Sequence, residues 1–328
     1  MPTYRRLEDV VPVVGTVLTI GTFDGLHPGH RRIIGELLAE RDRRDSRAVV
    51  VTFDPHPQQV LRKTGSGVPI LMTAAQKGAL LEELGVDDVI ILPFTHAFAA
   101  TPWQSFVDQL CEATGLSHMV VGHDHAFGRD RAGNAESLDR YGTEHGFTVS
   151  QVTPLLQSGD PVSSTRIRRA LSDGDVVEGA RLLGRRYHLP GTIVAGDRRG
   201  RGLGFPTANL RTAEPDQLVP SEGVYATRMI IPSTAAEAET AGDRVIGGMT
   251  NIGRRPSFTD GIERTIETHL FDFSDDIYDR FVTLEFLTLL RYEQSFDSAE
   301  AFRAQLAVDE ASAREAVAQA AVESGSSD

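Results

Sequence analysis

Apolar residues in the first half of the chain alternate between short β-rich runs and longer stretches with helical spacing. Four of these runs have the pattern of buried strands, and the segments between them place their apolar residues on one helical face. Because strand and helix alternate, this half predicts a doubly wound α/β fold with a parallel sheet, whose ligands bind at the carboxyl ends of the strands. The predicted strands are residues 16–20, 48–53, 89–92 and 119–121.

Capping signals mark several of the predicted helices. Thr73 is followed three residues later by Gln76, so these two residues predict a capping box for a helix that ends near Gly85. Another helix is expected to start at Thr101, with Pro102 at its first helical position. The helix after the first strand carries Ile33, Ile34, Leu37 and Leu38 on one face, and two later helices are predicted at residues 165–171 and 175–183.

The pattern of predicted elements changes after a run at residues 187–191 (YHLPG), which we expect to mark the end of the first domain. The strand-like runs beyond it have no helices between them, which favours an antiparallel barrel or sandwich. Asp297 and Glu300 fit a capping box for one final helix, and disorder is expected from Ser324 onward. The predicted strands are residues 192–195, 224–231, 245–251, 262–271 and 282–290. The predicted domains are 1–186 and 187–312, and residues 313–328 are expected to form the end of the C-terminal helix and a disordered tail.

Charge and cysteine content exclude some classes of protein. Thirty-three basic and 46 acidic residues give a net charge of −13, which argues against a general binder of nucleic acid or anionic membranes but permits nucleotide substrates. The single cysteine, Cys111, excludes a disulfide framework and a zinc site built from cysteines. Residues 1–14 contain no long apolar stretch, so we expect no signal peptide or membrane span and a cytoplasmic protein.

Residues 21–30 (GTFDGLHPGH) join the first predicted strand to the first helix. Glycines let a backbone approach a phosphate closely, and the start of a helix offers N–H groups to an anion. His27 and His30 are three residues apart, so both can face one ligand and stabilise charge that develops on a phosphoryl group. The pair could instead be surface or core histidines, or half of a zinc site, although no third ligand is spaced nearby.

This segment resembles the H-x-G-H signature of nucleotidyltransferases that transfer AMP or CMP to a phosphate. Three more stretches follow it, at residues 53–57 (FDPHP), 121–128 (VGHDHAFG) and 163–168 (SSTRIR). In this order they resemble the bacterial bifunctional riboflavin kinase/FAD synthetases, and the resemblance extends to about residue 309. It implies an α/β nucleotidyltransferase domain, followed by a small antiparallel β-barrel with a C-terminal helix.

By this resemblance, the first site binds ATP through Gly21, Phe23, His27 and His30, while Ser163, Ser164, Thr165 and Arg168 hold phosphate from the other side of the cleft. A plain helix cap with a solvated arginine face remains the alternative for the second group. Asp24 either organises the turn or contacts the ligand. His123 and His125 could be metal ligands, and the family usually has an aromatic residue where His125 stands.

A second loop rich in glycine and arginine, residues 196–204, includes Gly196, Arg201 and Gly204 and could wrap phosphates or form a flexible hairpin. It leads into a P-T-A-N motif at residues 206–209 that matches the riboflavin kinases. The resemblance implies that Thr207 and Asn209 help to hold Mg²⁺ and ATP phosphates, and that Glu267 is the base. Strand alternation places Glu263, Thr265, Glu267 and His269 on one face and Ile262, Ile266 and Leu270 on the other. The alternative for Glu267 is a solvated glutamate on an exposed face of the sheet.

The resemblance implies an enzyme that phosphorylates riboflavin with ATP to give FMN and then adenylylates FMN to give FAD and pyrophosphate, with Mg²⁺ at both steps. Two alternatives remain open. One is a single-activity enzyme in which the other site has decayed. The other is a flavin-binding regulator without turnover, although no helix-turn-helix or basic tail supports it.

Overall fold

The computed structural model describes residues 1–61, 67–123, 126–128, 133–196, 205–233, 242–256 and 262–325. Its contacts divide the chain into two compact units, Met1–Ser164 and Thr165–Asp328, which we call the first and second unit. The sequence placed a domain boundary near residue 186 instead. The residues between these two positions include helices that are counted with the second unit, and the functional boundary at 186 stays a prediction.

The described part of the first unit is built on a parallel sheet of six strands in the order β1-β4-β3-β2-β5-β8. Every residue of β2, β3 and β4 is buried, which explains the continuous apolar runs because helices cover both faces of such a sheet. The strands are β1 (Thr3–Tyr4), β2 (Thr16–Ile20), β3 (Ala48–Phe53), β4 (Asp88–Leu92), β5 (Leu116–Gly122), β6 (Ala126–Phe127), β7 (Gly133–Asn134), β8 (Thr148–Val152), β9 (Leu156–Gln157) and β10 (Asp160–Pro161). The pairs β6–β7 and β9–β10 form small antiparallel sheets.

The helices of the first unit follow the predicted capping signals closely. Thr73 and Gln76 form the expected capping box, with Thr73 as the N-cap residue. The helix after Thr101 begins one residue later than predicted, because Pro102 is its N-cap residue. The helices are α1 (Pro28–Arg44), α2 (Pro57–Leu61), α3 (Ala74–Glu83), α4 (His96–Ala99), α5 (Trp103–Thr114) and α6 (Ala135–His145), with a 3-10 helix at Leu7–Asp9.

The order of the strands creates one switch point in this sheet. From β2 the chain continues to β3 and β4 on one side, whereas β5 and β8 lie on the other side of β2. In a doubly wound sheet the ligand crevice opens at the carboxyl ends of the strands where the order reverses. The loop of residues 21–27 leaves the carboxyl end of β2 at this point.

The described part of the second unit contains a closed barrel in which every neighbouring pair of strands is antiparallel. The strands are β11 (Tyr187–Val194), β12 (Ala208–Thr212), β13 (Gly223–Ile231), β14 (Arg244–Pro256), β15 (Ile262–Leu270) and β16 (Phe281–Arg291), in the order β11-β12-β15-β14-β13-β16. The helices of this unit are α7 (Ser164–Ser172, whose first residue belongs to the first unit), α8 (Val176–Leu183) and α9 (Ala299–Gly325).

The barrel is packed on both sides of its wall. Thr227, Thr250 and Thr268 are fully buried, and their hydroxyls form a chain of hydrogen bonds across three strands, 2.8 and 2.9 Å long. On the opposite face of the same strands, Ala226 and Met249 pack with Ala313 of α9. These three hydroxyls therefore satisfy one another, and α9 covers an apolar part of the outer wall.

Three predictions for this unit were wrong in detail. The run at residues 187–191 lies inside β11, where Gly191 is required because a Cβ there would collide with the backbone of Arg211 on β12. The last helix begins at Ala299 with Ser298 as its cap, since the Ser298 hydroxyl accepts a hydrogen bond from the Ala301 N–H at 3.1 Å. That helix continues to Gly325, past the predicted start of disorder, and residues 326–328 lie outside the described part.

No helix in the described segments is both long enough and apolar enough to cross a membrane.

Candidate active sites

The first candidate site is built around the start of α1. His27 is the N-cap residue, and its Nδ1 accepts a hydrogen bond from the backbone N–H of His30 at 3.4 Å. Because Nδ1 accepts this bond, the proton of the neutral ring lies on Nε2, which leaves that nitrogen as a donor. The two imidazole rings stack with their centroids 3.7 Å apart. The structure therefore brings both predicted histidines together at the N-terminus of a 17-residue helix, where an anion is favoured.

The loop before α1 has an unusual backbone. Phe23, Gly25 and Leu26 have φ angles of 46°, 82° and 39°. These angles lie in the left-handed region of the backbone, which residues other than glycine rarely adopt. Gly21 has to be a glycine, since a Cβ there would lie 2.9 Å from Cζ of Phe23. The Phe23 ring is buried and forms a T-shaped pair with the His30 ring, with the two centroids 5.3 Å apart. The predicted residues Gly21, Phe23 and His30 therefore form one packed group.

Asp24 organises the turn. Its side chain is only 2% exposed, and both carboxylate oxygens accept from the Leu71 N–H, at 2.9 and 3.1 Å. The Asp24 carbonyl accepts a hydrogen bond from the Ser164 hydroxyl at 2.8 Å, which brings the serine segment to this loop. A direct contact between Asp24 and a ligand stays a prediction.

The other predicted members of the first site are placed less completely. Ser163 directly precedes α7, as expected of a capping segment, while Thr165 and Arg168 belong to the second unit and their approach to ATP stays a prediction. The His123 carbonyl accepts from the side chain of Gln151 at 3.2 Å. His125 lies outside the described residues.

Lys77 is a residue of this site that the sequence analysis did not identify. It lies on α3, is 7% exposed, and its Nζ donates to the Thr22 carbonyl at 2.6 Å and to the Thr52 hydroxyl at 3.0 Å. Burial lowers the pKa of its ammonium to about 8, even though the carboxylates of Asp24 and Asp54 favour the charged form. One signal was available in the sequence, because Lys77 stands four residues before Leu81 on the apolar stripe of its helix.

The second candidate site lies on the outer wall of the barrel. Asn209 on β12 pairs in register with Glu267 on β15, and Glu267 pairs in register with Asn251 on β14. The Thr207 hydroxyl donates to a carboxylate oxygen of Glu267 at 3.3 Å. The amide of Asn209 lies against Gly196, so closely that a Cβ on Gly196 would collide with it. Four predicted residues, Gly196, Thr207, Asn209 and Glu267, are therefore brought together.

The P-T-A-N segment is fixed to β15 next to Glu267. The ring nitrogen Nδ1 of His269 is 2.9 Å from the Pro206 carbonyl, and the rings of Phe205 and His269 meet edge to face at 5.1 Å. The predicted alternation of β15 is correct for the described side chains, since Ile266 and Leu270 are buried and Glu267 is half-buried.

Some predicted residues of the second site cannot be placed. Arg201 and Gly204 lie outside the described residues. Asn251 lies beside Glu267 because β14 pairs with β15, and the sequence does not reveal that these two strands pair. Among the residues that are described, no three of the His, Cys, Asp and Glu side chains form a group that could hold a metal ion.

Comparison with known proteins assigns each half of the chain to a different family model. The family model for FAD synthetase matches residues 13–166, and the model for riboflavin kinase matches residues 183–317. A bifunctional riboflavin kinase/FMN adenylyltransferase from Escherichia coli K12 is 35% identical over 305 residues, covering 93% of each chain. The protein of the same name from Pseudomonas fluorescens is 35% identical over 323 residues, covering 98% of this chain and 99% of the relative.

One solved structure covers 95% of this chain and 98% of its own, with 30% identity and a TM-score of 0.84; it is named as a macrolide-efflux protein from Streptococcus pneumoniae. That likeness shows a shared fold over both units. The two family models and the relatives that match nearly end to end establish the identity of the chain. It belongs to the family of bifunctional riboflavin kinase/FMN adenylyltransferases.

Proposed function

We propose that the two activities of this family are carried by two separate nucleotide sites in this chain. FMN adenylylation takes place at the loop and helix start of residues 21–30, and riboflavin phosphorylation takes place at the wall of the barrel around Glu267. The observation that carries the proposal is that each group contains residues of its own phosphate-binding motif in mutual contact. Each site binds its own ATP.

In the adenylyl-transfer site, the terminal phosphate of FMN attacks the α-phosphorus of ATP, the bond to the β-phosphate oxygen breaks, and pyrophosphate leaves. No side chain has to act as a nucleophile, so the protein contributes position and electrostatic stabilisation. His27 donates from Nε2 to a phosphate oxygen, and the stacked His30 ring holds it in place. The N-terminus of α1 adds a partial positive charge. The resemblance also assigns phosphate binding to Ser163, Ser164, Thr165 and Arg168.

In the kinase site, Glu267 accepts the proton of the ribityl hydroxyl as that oxygen attacks the γ-phosphorus, and ADP leaves. The hydrogen bond from Thr207 at 3.3 Å orients the carboxylate. Asn209, held against Gly196, faces the same group. Gly196, Arg201 and Gly204 belong to the loop that surrounds the phosphates.

Mg²⁺ is the metal that suits the donors of the kinase site. The hydroxyl of Thr207 and the amide oxygen of Asn209 are neutral oxygen ligands beside a carboxylate, a set that fits a hard cation already bound to phosphate. When bound, Mg²⁺ neutralises charge on the transferred phosphoryl group. We also propose that the protein works in the cytoplasm, since its single cysteine needs no oxidising compartment.

The test is to incubate the purified chain with riboflavin, ATP and Mg²⁺ and to separate the flavins. Wild type is expected to form FMN and then FAD. Glu267→Gln is expected to slow FMN formation by about 10²-fold or more and to keep FMN-to-FAD conversion. His27→Ala with His30→Ala is expected to do the opposite. If either variant loses both activities while it remains folded, the model of separate sites is wrong.

A further inference from the structure

The buried ammonium of Lys77 holds the backbone of the loop at residues 21–27, to which we assign ATP. The Thr22 carbonyl, between Gly21 and Phe23, accepts hydrogen bonds from Lys77 Nζ at 2.6 Å and from the Thr52 hydroxyl at 3.1 Å. Lys77 also donates to that hydroxyl at 3.0 Å, so the three groups form a closed triangle. A single carbonyl oxygen is thus fixed from two elements, α3 and β3.

Packing alone does not require a lysine at this position. Lys77 is only 7% exposed, so its ammonium has lost most of its hydration, and burial lowers its pKa to about 8. A methionine would fill similar space without that cost, because its side chain is equally unbranched and apolar. The charge and the donor of Lys77 therefore have a role beyond filling the core.

The same segment ties the loop at a second point. Asp24 accepts from the Leu71 N–H two residues before the N-cap of α3, so residues 71–77 hold both Thr22 and Asp24. Phe23, which lies between Thr22 and Asp24, and Leu26, which follows them, both have left-handed backbone conformations. An isolated chain would leave these conformations readily. External hydrogen bonds are needed to keep the loop in this shape.

We infer that Lys77 is a positioning residue for adenylyl transfer, acting through the Thr22 carbonyl to fix the backbone of the ATP-binding loop. In a planar trans peptide the C=O and N–H point in opposite directions. When Lys77 holds the Thr22 carbonyl, it also fixes the direction of the Phe23 N–H, which points away from Lys77. Backbone donors set in advance need no reorganisation when charge develops on a phosphoryl group. This inference rests on the proposed placement of ATP at residues 21–30.

The test compares Lys77→Met, Thr52→Val and the double variant in the full-length protein. We expect Lys77→Met to lower kcat for FMN adenylylation by about tenfold or more, with a smaller change in KM for ATP, because the donors are misplaced and not removed. Riboflavin phosphorylation, measured on the same preparation, is expected to be unchanged. The double variant is expected to lose less than the product of the two single losses, because both changes act on one carbonyl.

Leu81→Val is the matched control, since Leu81 is fully buried on the same helix and its aliphatic side chain has no hydrogen-bond donor for the Thr22 carbonyl. It is expected to lower the melting temperature and to keep kcat. Wild-type kcat in Lys77→Met, an equal loss of kcat in Leu81→Val, or fully multiplicative losses would each overturn the inference. If Lys77→Met does not fold, Thr52→Val decides alone, because a lower kcat at an unchanged melting temperature supports the role and an unchanged kcat refutes it.

His27→Ala separates this inference from the proposed function. If His27→Ala keeps full adenylylation, the placement of ATP is wrong and the inference falls with it. If His27→Ala loses adenylylation while Lys77→Met keeps it, ATP is placed correctly and only the role of Lys77 is wrong.

Discussion

His27 and His30 act as a pair because of where α1 begins. The N-cap position of His27 turns its ring back over the first helical turn, so that Nδ1 meets the His30 N–H and the rings stack. This pairing follows from a spacing of three residues at a helix start, and the sequence could predict it. The support from Lys77 could not be predicted in the same way, because Thr22, Thr52 and Lys77 meet only after the sheet and α3 have packed.

Gly196 controls the kinase site through Asn209. A Cβ at residue 196 would collide with the Asn209 amide, which is the mobile end of a side chain, so Gly196→Ala displaces the amide and leaves the barrel intact. We expect kcat/KM of riboflavin phosphorylation to fall by about 10- to 100-fold. FMN adenylylation and the melting temperature are expected to stay at wild-type values. A loss of melting temperature in place of kinase activity would show that Gly196 serves the fold.

Glu285 stabilises the barrel through its charge. Burial alone would raise its pKa, but hydrogen bonds from His188 at 3.2 Å and Arg228 at 2.6 Å outweigh burial and lower the pKa from 4.5 to about 2. A carboxylate with a lowered pKa contributes stability above its unfolded pKa, and this contribution is lost as the pH falls through the folded pKa. The size of the shift corresponds to about 3 kcal/mol.

Glu285→Gln is therefore expected to lower the free energy of unfolding at neutral pH by about that amount. The difference from wild type should shrink as the pH falls from 4.5 to about 2, the range between the unfolded and folded pKa. Chemical denaturation followed by circular dichroism measures both. A difference that does not depend on pH would mean that the ion pairs of Glu285 contribute nothing.

At the scale of elements, capping residues and continuous apolar runs were enough to predict the helices and strands that carry them. The box of Thr73 and Gln76 gave the start of α3, and buried apolar runs gave the central strands. The edge strand β8 and the short strand β12 were not predicted, because neither has a continuous apolar run. Pro190 and Gly191 were mistaken for a break, whereas the Pro190 carbonyl accepts from the Ala213 N–H at 2.9 Å within the barrel wall.

Thr73 stabilises the helix that carries Lys77. Its hydroxyl accepts from the Gln76 N–H at 3.1 Å, and the Gln76 side chain accepts from the Thr73 N–H at 2.9 Å. Thr73→Ala is expected to lower the free energy of unfolding of the first unit by about 1 kcal/mol, while Thr73→Ser keeps the cap and most of the stability. Urea denaturation followed by the fluorescence of Trp103, which is buried in the first unit, measures the difference. Equal midpoints for the alanine and serine variants would contradict the role of the cap.

At the scale of the whole molecule, the change from alternating strands and helices to strands alone predicted two different folds in one chain. The exact division could not be predicted. Helix α8 contacts the barrel strands β11 and β16. The boundary between the two compact units therefore falls before this helix, between Ser164 and Thr165. Helical periodicity in residues 165–183 predicts the helices and does not reveal which neighbour buries their apolar faces. Two family models that match separate halves agree with two functional parts.

The number of nucleotides bound per chain tests the central claim most directly. Calorimetric titration with Mg²⁺ and a non-hydrolysable ATP analogue is predicted to give two equivalents for the wild-type chain. The combined change of His27→Ala and His30→Ala should leave one equivalent, and so should the combined change of Thr207→Ala and Asn209→Ala. A single equivalent for wild type, or the loss of both equivalents in either double variant, would contradict the assignment of two separate sites.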